Sequence, residues 1–136
     1  MQVDTYLNFT GNCEEAFKFY EKCFGGKIEF KMTHGESPMA DQVGPEWRDK
    51  VMHISLQIGD RRLLGSDAPP EYYKPPQGFC VSVSAKDAAE AERVFKALSE
   101  KGNISMPLQK TFWSPAFGML TDRFGIPWMV NTNTAV

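Results

Sequence analysis

The same succession of hydrophobic patterns runs through this chain twice, and few folds accommodate that. In the first pass, VDTYLNF alternates as a strand. NCEEAFKFYEKCF then places Ala16, Phe19, Tyr20, Cys23 and Phe24 at helical spacing, between Asn12 as N-cap and Gly25-Gly26 as stop. KIEFKMTH resumes the alternation, a Pro- and Gly-containing stretch at about 35–49 loops out, and VMHISLQI and RRLLGS pair around Gly59-Asp60. The second pass reads GFCVSVS, then DAAEAERVFKALSEK as a helix capped by Asp87 and ended by Gly102, then NISMPLQ, FGMLT and IPWMVN. A shift of 75 positions lays Glu15-Ala16 on Glu90-Ala91 and Tyr20 on Phe95. The pattern predicts an α+β chain of two βαβββ modules, at about 1–67 and 78–136. They are joined by a linker at 68–77 whose four prolines withhold donors from a sheet.

Each module then has a sheet with one face covered by its helix and one face left over. Alternation assigns Leu7, Phe9, Met52, Ile54, Leu56, Ile58, Val81, Val83, Ile126, Trp128 and Val130 to the covered faces. The leftover faces receive Tyr6, Asn8, Val51, His53, Ser55, Gln57, Cys80, Ser82, Ser84, Met129 and Asn131, a mixed and hydrogen-bonding set that suits a ligand cleft. The corner DRFG is expected to turn on Asp122 accepting backbone hydrogen bonds.

With 136 residues the chain is long enough for one domain with an ordinary core. Its net charge of −2 gives no support to a nucleic-acid partner. No apolar run reaches the length needed to cross a bilayer, and the start lacks the pattern of a secretory signal. Three scattered cysteines, Cys13, Cys23 and Cys80, fit free thiols in a cytoplasmic protein better than a disulfide framework or a structural zinc site.

YLNFTGNCEEAFKFYEKCFGG, MHISLQIGD, LLGSD, MPLQKTFW and FGMLTDRFGIPWMVN, in that order, resemble the PhnB-like branch of the glyoxalase/bleomycin-resistance/dioxygenase (vicinal oxygen chelate) superfamily. The resemblance covers essentially the whole chain, and DRFGIPW and TFW are its most specific parts. It implies a single glyoxalase-like domain in which the two modules form a cup-shaped, eight-stranded mixed sheet, usually as a homodimer with a small-molecule ligand. The branch also carries a 3-demethylubiquinone-9 3-methyltransferase label. The residues give that label no support, since no Gly-rich strand-to-helix loop is present to cradle such a cofactor. Enzymes of the superfamily hold a divalent metal through His, Gln or Glu on four strands. Those positions fall here near Asp4 or Tyr6, near Leu64 or Gly65, on Cys80 and on Met129. A thioether is a poor donor for a hard ion, so no cofactor is expected and no metal ligand is assigned.

The candidate catalytic residue is His53, a general base or acid on a leftover face, or else a histidine satisfied by its neighbours. Candidate ligand contacts are Tyr6, Asn8, His53, Ser55, Gln57, Ser66, Cys80, Ser82, Trp113, Met129 and Asn131. Cys80 reads as a nucleophile, a soft ligand or a small buried hydrophobe. Trp113 reads as a lid or a packing residue, and Gln109, Ser66, Asp67 and Asn131 as ligand contacts or strand ends. His34 is expected to be exposed, and the 35–49 loop to be a flap bearing Trp47 or an insertion without function. A metal-free small-molecule binder is the first expectation. A metal-dependent lyase, isomerase or dioxygenase with replacement ligands, and a drug-sequestering protein, are the alternatives.

Overall fold

The computed structural model describes residues 1–133. The chain forms two compact units, Met1–Lys74 and Pro75–Val136, each holding one βαβββ module. In the first, β1 (Thr5–Phe9), α1 (Cys13–Phe24), β2 (Lys27–Thr33), β3 (Val51–Ile58) and β4 (Arg61–Asp67) make a mixed sheet in the order β1-β4-β3-β2. In the second, β5 (Val81–Ala85), α2 (Ala88–Leu98), β6 (Asn103–Gln109), β7 (Phe117–Thr121) and β8 (Pro127–Thr132) repeat it as β5-β8-β7-β6. The α+β class and both modules follow the sequence reading, with the eight strands divided between two four-stranded sheets. Within each sheet β1–β4 and β5–β8 are parallel and the remaining pairs antiparallel.

Each helix packs on its own sheet through an apolar stripe. On α1 the stripe is Cys13, Ala16, Phe17, Tyr20 and Cys23, so Phe17 and not the expected Phe19 faces the sheet. Gly65 makes room for it: a Cβ there would stand 2.6 Å from the Phe17 ring. The second module does the same, since a Cβ on Gly118 would stand 2.7 Å from the ring of Phe95 on α2. Asp87 caps α2 through the Glu90 N–H at 2.8 Å, as expected. Gly102 does not end that helix. It stops at Leu98, and Lys101 takes the left-handed conformation with φ 58°.

Two expectations about α1 and β3 are corrected. Asn12 makes no side-chain capping bond. Its task falls to Asp67 at the end of β4, whose Oδ1 accepts the N–H groups of Gly11 (2.7 Å) and Cys13 (3.1 Å) while Oδ2 accepts that of Val51 (2.9 Å). Asp67 is therefore a buried residue that organises the backbone at the end of β4. In β3 the pairing jumps from His53↔Met32 to Val51↔Thr33, leaving Met52 as the extra residue. That bulge turns Val51 into the core, where it is fully buried, and leaves Met52 half-exposed.

Candidate functional site

The register of the first sheet sets which side chains share its uncovered face. Asn8 lies opposite Ser66, Tyr6 opposite Leu64, and Leu64 opposite Ser55, which lies opposite Phe30. His53 lies opposite Met32. The Tyr6 hydroxyl and His53 Nδ1 are 3.2 Å apart, and the two rings stack with centroids 5.7 Å apart and planes 27° apart. Phe30 flanks the imidazole at 5.9 Å. No protein group among the described residues bonds the other ring nitrogen, Nε2. With Tyr6 donating to Nδ1, Nε2 carries the proton and donates outward. With Nδ1–H donating to Tyr6, Nε2 presents a lone pair.

One corner of this face is charged, which the alternation pattern did not reveal. A bulge at Glu29, between the pairs Ile28↔Leu56 and Phe30↔Ser55, brings its carboxylate over the sheet. Glu29 Oε1 accepts from Ser55 Oγ at 3.1 Å and pairs with Arg62 Nε at 3.1 Å. Arg62 belongs to β4, opposite Gln57. Gln57 spends its amide on the turn, donating to the Gly59 carbonyl at 2.6 Å.

On the second sheet Ser82 lies opposite Met129 and Ser84 opposite Asn131. Asn131 Oδ1 is buried and has no hydrogen-bond donor among the described residues. Trp113 is half-exposed and meets Phe117 edge-on at 5.4 Å and Phe112 at 4.7 Å. Cys80 precedes β5, partly buried, with a free thiol. Trp128 is core, as expected, and its Nε1–H donates to Asp122 Oδ2 at 2.8 Å. Asp122 makes the corner through the N–H groups of Phe124 (2.8 Å) and Ile126 (3.0 Å).

The 35–49 segment is neither a bare flap nor an unstructured insertion. Three single turns of 3-10 helix, His34–Glu36, Ala40–Gln42 and Pro45–Trp47, fold it back. Its base is closed by His34 N–H to Lys50 O (2.9 Å) and Gly35 N–H to Arg48 O (2.8 Å). His34 is half-buried, with Nε2 3.1 Å from the Asp67 carbonyl and its ring 6.3 Å from that of Trp47. A cleft of about 380 Å³ opens beside the first turn of α1, lined by Asn12, Glu14, Lys18, Lys50 and Asp67 among others. Of the candidate contacts named from the sequence, Asp67 lines it.

The family profile of the glyoxalase/bleomycin resistance protein/dioxygenase superfamily matches residues 2–130. The chain belongs to this superfamily. Protein YjdN of Escherichia coli K12 is 33% identical over 139 residues, covering 96% of this chain and 95% of that one. Protein PA1353 from Pseudomonas aeruginosa is 45% identical, with a TM-score of 0.89 and 97% of each chain covered. A PhnB protein from Bacillus cereus, which carries the 3-demethylubiquinone-9 3-methyltransferase label, is 25% identical with a TM-score of 0.81, covering 97% of this chain and 99% of that one. The PhnB-like resemblance read from DRFGIPW and TFW therefore stands.

The positions that the resemblance gives to metal ligands fall near Asp4 or Tyr6, near Leu64 or Gly65, on Cys80 and on Met129, and of these only Asp4 carries a carboxylate or imidazole. Met129 and Cys80 offer soft sulfur, Tyr6 is engaged with His53, and Gly65 lies under Phe17. Among the described residues no three His, Cys, Asp or Glu side chains come together so as to hold a metal ion. No chemical step is therefore assigned to a hard divalent cation.

Proposed function

We propose that this chain binds a small organic molecule on the uncovered sheet face that carries His53, without a divalent metal. The observation that carries the reading is the Tyr6–His53 pair: Nδ1 is held by a phenol while Nε2 is left to a ligand. Leu64, Phe30 and the Tyr6 ring supply apolar contact beside it. Asn8, Ser55 and Ser66 supply polar contact. The second sheet by itself offers Met129, Ser82, Cys80 and Trp113 as candidate contacts. The Asn131 oxygen there, without a donor among the described residues, is placed to accept an N–H or O–H from a ligand. Gln57, tied to its own turn, is the weakest of the proposed contacts.

His53, whose Nε2 meets no protein partner among the described residues, is the catalytic residue of this proposal if the ligand reacts. A sequestering protein would need no reacting group, and the lack of any cluster of three His, Cys, Asp or Glu side chains among the described residues supports this reading over a metal-dependent enzyme. The homodimer and the cytoplasmic location belong to the same proposal. Three free cysteines support the location, and no described helix is long and apolar enough to cross a membrane.

The test is a thermal-shift screen of small molecules, followed by titration of a hit into His53→Ala. Unchanged affinity with abolished turnover identifies an enzyme, and affinity weakened about tenfold or more without turnover identifies a binder. Hits whose affinity and turnover ignore both His53→Ala and Tyr6→Phe would overturn the assignment.

A further inference from the structure

We propose that the uncovered face of the second module binds one soft monovalent cation, copper(I), through the thioethers of Met106, Met119 and Met129. The three residues lie in one row across adjacent strands: Met106 on β6 opposite Met119 on β7, and Met119 opposite Met129 on β8. Directly opposed residues hold their Cβ atoms about 4.5–5.5 Å apart. Each methionine has three rotatable side-chain bonds, so three sulfurs in such a row can converge on one ion.

The row depends on a register irregularity. β6 runs from Ile104↔Leu120 to Met106↔Met119, so Ser105 is an extra residue. Without that bulge Ser105 would face Met119, and Met106 would be turned to the face that α2 covers. The strand thus departs from regular pairing at the place that brings a third thioether to the open face. Met106 is 38% exposed, and Met119 and Met129 are half-buried, so the sulfurs remain reachable.

The chemistry of the donors selects the ion. Neutral, polarisable thioethers favour copper(I) over magnesium, calcium or manganese, which require oxygen donors. The row continues into Ser82 on β5, and the partly buried free thiol of Cys80 lies two residues before Ser82 in the chain. This inference uses a donor set apart from His53 and stands or falls without it.

The experiment uses the full chain carrying Cys80→Ser, which removes the one partly exposed thiol from competition for the metal. Silver(I) serves as a redox-stable probe, and copper(I) is added anaerobically against a chromophoric chelator. The expected result is one equivalent bound, with the ε-methyl NMR signals of Met106, Met119 and Met129 shifting and those of Met32, Met39 and Met52 unmoved. Met119→Leu, which conserves volume, removes the central donor and is expected to weaken binding at least 100-fold. Met129→Leu provides a second variant if the first fails to fold, and Met39→Leu leaves binding unchanged. Absence of one-equivalent binding, binding that survives both row variants, or shifts confined to methionines outside the row would overturn the proposal. An organic ligand that moves these methyls while silver does not would reassign the row as an apolar floor.

Discussion

Asp67 shows how much of this structure can rest on one side chain. Its two oxygens accept three backbone N–H groups, from Gly11, Cys13 and Val51, which ties the end of β4 to the start of α1 and the start of β3. An amide in its place offers one acceptor oxygen and turns an NH₂ group toward the remaining donors. Asp67→Asn should therefore lower stability by about 2–4 kcal/mol in urea denaturation, the range for leaving buried donors without a charged acceptor. The cysteines divide by environment. Burial, with the Asp67 and Glu14 charges adding to it, pushes the Cys13 thiol far above the usual thiol range, so it stays protonated and inert. Iodoacetamide at pH 8 is expected to label Cys80 in the native protein and Cys13 and Cys23 only after unfolding, as peptide mass mapping would show.

At the scale of elements, helix and sheet meet through a ring laid over a glycine, Phe17 on Gly65 and Phe95 on Gly118. Gly65→Ala places a methyl group inside the Phe17 ring's space and should cost about 1–3 kcal/mol, the usual range for overpacking. Phe17→Leu in the same chain should recover part of the loss, and a double-mutant cycle measures the coupling. Helix α1 is also tied to β2 by charge. Glu14 Oε2 lies 2.8 Å from Lys31 Nζ and 3.5 Å from that of Lys18. The hydrogen bond from Lys31, followed by the charges of both lysines, holds the Glu14 carboxyl below its usual range. A depressed folded-state value means the stabilisation is present above the unfolded carboxyl's range and disappears as pH falls through the folded one. The pair is solvent-screened, so Glu14→Gln should cost no more than about 0.5 kcal/mol at pH 7 and nothing at pH 2, by denaturation at both values.

The molecule as a whole is a twofold repeat that divides its labour unevenly. Both modules share element order, sheet order, a glycine beneath a helix ring and a bulge in the strand after the helix, at Glu29 and at Ser105. The consequences differ. In the first module the bulge carries a carboxylate that engages Ser55 and Arg62, whereas in the second it re-aims Met106. One face thus gathers hydrogen-bonding and charged groups, and the other gathers sulfur. The homodimer belongs to this scale: light scattering is expected to return twice the 15.3 kDa mass of one chain. A monomeric mass at micromolar concentration would remove that part of the proposal.

Local pattern was enough for whatever a single segment decides. Both helices, the eight strands, the Asp87 cap, the Asp122 corner and the core position of Trp128 all follow from periodicity and from residues a few positions apart. Alternation also put His53 and Tyr6 on leftover faces, and the quoted motifs pointed to the superfamily. Their stacking could not be read, because it joins residues 47 positions apart across strands that are not neighbours in the chain. The faces of Val51 and Met106, the charged corner at Arg62 and Glu29, and the capping of α1 by Asp67 escaped for the same reason. A bulge is a relation between two paired strands, and a buried carboxylate finds its donors only when three segments meet. Periodicity describes one segment at a time, so these features came into being only when the sheets were assembled.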